Sequence, residues 1–201
     1  MKTPGKRYYF RANTIKTPPD EIVKRFERRG LSVKKHPAMQ EALHFDIEGP
    51  FEIPIHKQKI TVDKFTAESV LQGAHVYAPG IMKCQKIRRD QKVTILDDQG
   101  QPVASGTTKM NETEILKYGH GLAVEVTSSR YKVPSLRETD EFQRGLVYPQ
   151  SFPAILTSHI LEPQCNEKIV DLNCAPGGKL SHISGLMQNT GRLIGVDRNK
   201  Q

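Results

Sequence analysis

A run of the form D-x-x-C-A-P-G-G-K is the part of this sequence with the clearest capacity for chemistry. Asp171 closes a short apolar run at Val170, Asn173-Cys174-Ala175-Pro176-Gly177-Gly178-Lys179 turns the chain, and Leu193-Ile194-Gly195-Val196-Asp197 follows. Gly177 and Gly178 carry no side chain, so a ligand can approach the backbone closely. The segment 179–188 is expected to open a helix whose free N–H groups face that turn. An acid at the tip of the next strand can accept hydrogen bonds from ribose hydroxyls. The pattern predicts a nucleotide-type site on two parallel strands, about 168–173 and 192–197. No G-x-G-x-x-G is present, so a fold related to the dinucleotide-binding type is expected rather than that type itself.

A second stretch joins glycines, a histidine, an aromatic and a proline on one loop-to-strand passage, Gly73-Ala74-His75-Val76-Tyr77-Ala78-Pro79-Gly80-Ile81. Backbone N–H groups beside Gly73 and Gly80 can reach phosphate or base edges. Tyr77 can stack on a base, an interaction worth roughly 1–3 kcal/mol in single-strand binding. Lys83, Lys86, Arg88 and Arg89 follow at once and read as phosphate contacts. The plainer readings stand beside these: Val76 and Ile81 as core, His75 as a turn histidine, the charge run as a solvated face. His159, Cys165, Cys174 and His182 are the candidate zinc ligands, but their spacing matches no known finger, and no metal is expected.

The elements that must position these residues fall into three segments. In 1–56, Arg7-Tyr8-Tyr9-Phe10-Arg11 reads as a strand and Thr17-Pro18-Pro19-Asp20-Glu21 as a hydroxyl-capped helix start. Gly30 ends that helix, and strands are expected at Leu31–Val33 and within Ala42–Ile47. This is a small RNA-recognition-like α+β unit, in which Tyr8 and Phe10 fit a half-buried strand. In 57–135, short strands flank the hairpin signal Asp98-Gln99-Gly100-Gln101. Two short helices interrupt them, one capped by Thr66 and one opened by an Asn111/Glu114 capping box. Many short strands and few helices imply a closed or nearly closed β-barrel. In 136–201, a helix over Ala154–Leu161 leads into the α/β turn.

Composition bounds the partners. A net charge of +8 and a pI near 9.4 point to an anionic partner, with nucleic acid first, against a merely basic soluble protein. Three cysteines without C-x-x-C spacing argue against a disulfide framework and for a reducing compartment. No apolar run approaches the roughly 18–20 residues of a membrane span, and no signal-peptide core is evident, so a cytoplasmic protein without a membrane partner is expected.

The phrase at 171–179 resembles motif I of the Sun/RsmB-like S-adenosylmethionine-dependent RNA cytosine-5 methyltransferases, usually D-x-C-A-A-P-G-G-K. Arg11-Ala12-Asn13-Thr14-Ile15-Lys16 is similar to that family's R-x-N-T-x-K strand. Residues 145–164 resemble the approach to motif I. Gly73–Ile81 resembles the entry of a PUA domain, which interrupts the tRNA acceptor-end branch of the family. The resemblance implies S-adenosylmethionine held by Asn173, Cys174, Ala175, Pro176, Gly177, Gly178 and Lys179, with Asp197 on its ribose. It implies RNA, the tRNA acceptor end, on Gly73, Ala74, His75, Tyr77, Gly80 and the basic residues after them. Asn173 and Cys174 stand where the family usually has Cys and Ala. The family's two catalytic cysteines belong to later P-C and T-C motifs, so no catalytic residue is assigned to Cys84, Cys165 or Cys174.

Two parallel strands and one helix cannot cover both faces of a sheet. The expected architecture is therefore an α+β unit, a PUA barrel and the first βαβ of a truncated Rossmann-like domain. The chain is expected to be the front of a larger methyltransferase whose remaining part completes the enzyme, and alone to bind RNA without methylating it. The rivals are a stand-alone PUA-type RNA-binding protein with a vestigial methyltransferase remnant and, weakest, a small-molecule methyltransferase.

Overall fold

The structure is a computed structural model and describes residues 4–198. In chain order it begins with β1 (Arg7–Ala12), α1 (Pro19–Arg28), β2 (Lys34–Lys35) and β3 (Ala42–Asp46). There follow β4 (Gln58–Val62), α2 (Lys64–Val70), β5 (Val76–Tyr77), β6 (Ile81–Cys84), β7 (Lys92–Leu96), β8 (Pro102–Thr108), α3 (Glu112–Tyr118) and β9 (Leu122–Ser129). The last are α4 (Asp140–Gln143), β10 (Val147–Pro149), α5 (Phe152–Ile160), β11 (Lys168–Asp171), α6 (Gly178–Leu186) and β12 (Arg192–Gly195). These elements form two units, one of residues up to Asp46 together with those from Pro134, the other of Ile47–Val133. The outer two of the three expected segments thus fold as one, because β10 pairs with β1.

In the first unit, β1 runs from an exposed Arg7 through half-buried Tyr8 and Tyr9 to buried Phe10, Arg11 and Ala12, so the aromatic run lies in a strand without strict alternation. It pairs antiparallel with β3 on one side and β10 on the other, giving the order β10-β1-β3-β2. Helix α1 buries Ile22 and Phe26, and the Phe26 ring meets those of Phe10 and Phe45 at centroid distances of 5.7 and 5.5 Å. Its start differs from expectation. Pro18 is the N-cap and makes no side-chain hydrogen bond, so Thr17 lies one residue too early to cap. Asp20 and Glu21 in the first turn oppose the positive helix end instead. The strand expected at Leu31–Val33 forms later, at β2, where Lys34 and Lys35 face His44 and Leu43. Farther along, β11 and β12 pair in parallel around α6.

The second unit is a six-stranded sheet in the order β5-β9-β8-β7-β4-β6. It is mixed, because β4 runs parallel to β7 while the other neighbours are antiparallel. Its two edge strands, β5 and β6, are consecutive in the chain and separated by one 3-10 turn at Ala78–Gly80. The sheet therefore nearly closes into a barrel, with the Gly73–Ile81 passage at its seam. Ile60, Val62, Val70, Val76, Ile95 and Val124 fill the interior. The first helix of this unit is capped by Asp63, not Thr66: the Asp63 carboxylate accepts from the Thr66 N–H at 2.8 Å.

Candidate functional site

The turn after β11 is built by backbone hydrogen bonds between it and the strand tips. Val196 N–H donates to Asp171 C=O at 2.8 Å, and Cys174 N–H to Val196 C=O at 3.1 Å. Asp197 Oδ2 accepts from the Ala175 N–H at 2.8 Å, so the strand-tip acid is tied to the glycine turn itself. Gly177, at φ +90°, is the left-handed residue from which α6 starts, a conformation that favours glycine. Gly178 follows against Tyr148, where an added methyl would lie 3.0 Å from the ring. Asn173 is exposed, whereas Lys179, Ala175 and Asp197 are half-buried. Cys174 is half-buried and backed by β12: a methyl at Gly195 would lie 2.8 Å from its Sγ.

A cavity of about 450 Å³ opens beside this turn, and Arg11, Asn13, Lys16, Tyr148, Gly177 and Ser181 are among its walls. The two distant stretches Arg11–Lys16 and Pro176–Gly177 thus line one space, while Asn173, Lys179 and Asp197 do not face it. Arg11 is buried. Its Nε donates to Gln150 Oε1 at 3.0 Å and its Nη2 to Ser181 Oγ at 3.1 Å. Burial lowers its pKa, and the nearby Glu41 and Tyr148 offset part of that. Asn13 Nδ2 and Lys16 Nζ donate to the carbonyls of Gly145 and Arg144. These polar groups set the walls, and sequence spacing carries no sign of Tyr148 or Gly145 joining them.

Under the same helix, Glu41 receives two histidines. His182 Nε2 lies 3.1 Å from Glu41 Oε1, and His159 Nε2 meets the same oxygen. Burial pushes the Glu41 carboxyl up, but the hydrogen bonds from His182 and His159 outweigh it and bring it down to about 2. Of the four residues weighed for zinc, the structure joins His159 and His182 with Glu41, and among the described residues no cysteine belongs to the group.

At the seam of the second unit, Gly73, Ala74, His75 and Tyr77 are exposed, Val76 is buried and Ile81 half-buried. Gly80 packs on α2, where an added methyl would sit 2.1 Å from Thr66 Oγ1 and 2.9 Å from its Cβ. His75 Nδ1 accepts from the Val126 N–H at 3.1 Å, the behaviour of a turn histidine. Lys83 and Arg88 are exposed. Lys86 has a left-handed backbone and donates its N–H to Glu112, while Arg89 forms a two-pronged pair with Glu114, Nη2 to Oε1 at 2.7 Å. The exposed Phe65, Met82, Leu116 and Tyr118 add apolar surface that the loop motif alone did not reveal.

Residues 58–129 match the PUA domain family, and residues 158–201 match the 16S rRNA methyltransferase RsmB/F family. A tRNA (cytosine(72)-C(5))-methyltransferase of Pyrococcus horikoshii is 38% identical over the whole of this chain and 52% of its own length. The tRNA (cytosine(72)-C(5))-methyltransferase NSUN6 of Homo sapiens is 32% identical over 89% of this chain and 42% of its own. The crystal structure of NSun6 from Pyrococcus horikoshii with SFG superposes with a TM-score of 0.82 at 39% identity, covering 98% of this chain and 52% of that one. The chain spans about half the length of these relatives.

Proposed function

From its kinship with the PUA-bearing branch of the RsmB/F-type RNA cytosine-5 methyltransferases, of which it spans one part, we propose that this chain binds the acceptor end of a tRNA and carries the motif-I portion of an S-adenosylmethionine site. The observation that carries the reading is the joining of Arg11–Lys16 and the motif-I turn around one cavity, in a chain that also holds a nearly closed PUA barrel.

The residues at the turn suit the cofactor. The Gly177 N–H is taken by the Cys174 C=O, so it is the backbone N–H groups in the first turn of α6, after Gly177, that would receive an anionic carboxylate. Asp197, which accepts from the Ala175 N–H, is the acid after the second parallel strand, the position from which such an acid would accept ribose hydroxyls. S-adenosylmethionine, when bound, supplies an electrophilic methyl group. Transfer to cytosine C5 needs a thiolate to add at C6 first. The described cysteines do not suit that task. Cys84 is buried and burial raises its thiol pKa, Cys174 is packed against β12, and the Cys165 thiol donates to Met187 C=O at 3.6 Å. This chain therefore serves binding rather than the covalent step.

On the RNA side, the exposed Tyr77 offers a stacking face, with Lys83 and Arg88 as phosphate partners. Binding is tested by fluorescence anisotropy at fixed salt, with a tRNA carrying or lacking its 3′ tail and with Tyr77→Ala. The tail is expected to strengthen binding, and the substitution to weaken it by roughly 5- to 150-fold, the equivalent of about 1–3 kcal/mol. An affinity indifferent to both changes would sink the loop reading. A second reading, an RNA-binding chain without cofactor, is favoured by the exposure of Val170, Leu172, Ile194 and Val196 on the parallel pair, faces that such sheets normally cover. Calorimetry with S-adenosylmethionine separates the two: measurable heat supports the first, none the second.

A further inference from the structure

The carboxylate and two imidazoles beneath α6 do not belong to the cofactor turn or to the RNA loop. We propose that Glu41, His159 and His182 form a binding site for a divalent transition-metal ion of the zinc class. Glu41 comes from the turn before β3, His159 from α5 and His182 from α6, so the three ligands are drawn from widely separated parts of the chain. Glu41 Oε1 and the Nε2 atoms of both histidines all lie within 4.8 Å of one another. Zinc holds such ligands at about 2.0–2.2 Å, so small side-chain movements place one ion among them. The rings stand 73° apart with centroids 5.4 Å apart, and both turn the same nitrogen towards the same oxygen.

The chemistry of the set fits as well. Two imidazoles and one carboxylate leave a fourth position in a tetrahedral zinc site, and the partly exposed His159 side gives water access to it. The Arg11 guanidinium nearby is engaged with Gln150 and Ser181. With metal on Nε2, the His182 proton sits on Nδ1, a buried atom without a hydrogen-bond partner among the described residues. The bound ion would join the turn before β3 to α5 and α6.

The test uses the full chain, freed of metal by chelation, and the probes are Zn²⁺ and Co²⁺ alone. One Zn²⁺ per chain is expected by calorimetry, with a rise in thermal midpoint that chelator reverses. Co²⁺ should give visible d–d bands of four-coordination without thiolate charge-transfer bands. His159→Ala, at the partly exposed ligand, and Glu41→Gln should each weaken Zn²⁺ at least tenfold. Folding of each variant is checked by circular dichroism, so that His159→Ala stands as an independent measure if Glu41→Gln is unfolded. Absence of Zn²⁺ binding, thiolate bands, or unchanged affinity in a folded His159→Ala chain would each overturn the proposal.

Discussion

Gly80 shows how tightly the seam of the barrel is specified at single residues. A methyl there meets not only Thr66 Oγ1 but also Thr66 Cβ, so a rotation of the threonine cannot relieve the clash. Gly80→Ala is expected to destabilise the chain by roughly 1–3 kcal/mol, the usual range for overpacking, as read by urea denaturation. An unchanged midpoint would mean the turn at Ala78–Gly80 yields more easily than its contacts suggest. His44 gives the matching prediction for pH. Burial, then the Arg7 charge, lowers its pKa, and its Nδ1 is buried without a hydrogen-bond partner. The unfolded chain takes up this proton near pH 6.5, whereas the folded chain resists it. The folded state therefore has its full stability above about pH 6.5 and loses part of it as pH falls below that value. His44→Gln should flatten this part of the stability–pH curve relative to the parent; parallel curves would exclude His44 as the cause. At this scale the sequence conveys residue types well and partners poorly. The glycines at 177 and 80 announce themselves, but nothing local tells that Asp197 binds the Ala175 amide or that Glu41 lies between two histidines.

Elements were legible where their signals are local. The capping box of α3 forms as its spacing predicts: Asn111 Oδ1 accepts from Glu114 N–H at 2.9 Å, and Glu114 Oε2 accepts from Asn111 N–H at 2.8 Å. Left-handed Gly119 then closes the helix. Asn111→Ala should cost about 1 kcal/mol, the typical value of a lost N-cap, whereas Asn111→Asp should restore most of it. Equal losses for both in a denaturation series would show that the cap's polar acceptor does not matter here. The start of α2 was less legible because Asp63 and Thr66 are both good caps three residues apart, and the structure uses the earlier one. β10 was not legible at all. Its three residues gain strand geometry from pairing with β1, far away in sequence, and leave no periodic trace of their own.

The molecule as a whole is one unit interrupted in sequence by another, and the interruption is stapled at its base. Glu48 and Lys132 pair across the two ends of the second unit, N–H to C=O at 3.2 Å one way and 3.0 Å the other, and Phe51 N–H donates to Arg130 C=O at 2.7 Å. Gly49 permits this approach, since a methyl there would lie 2.6 Å from Arg130 O. Composition showed the change in texture near these ends, but not that the flanking segments meet in one sheet, because long-range pairing has no compositional signature. The second unit's interior is a single hydrophobic cluster from Ile60 to Val124, and its sheet edges are joined by one short turn. A chain of this size with its own core and paired ends meets the conditions for independent folding. Residues 47–133 produced alone should therefore unfold in one cooperative transition and keep the tRNA-tail dependence of the full chain. Poorly dispersed amide resonances or a non-cooperative melt would show that the core needs the remaining residues. A folded fragment that had lost tail dependence would instead place the tail contact on residues outside 47–133.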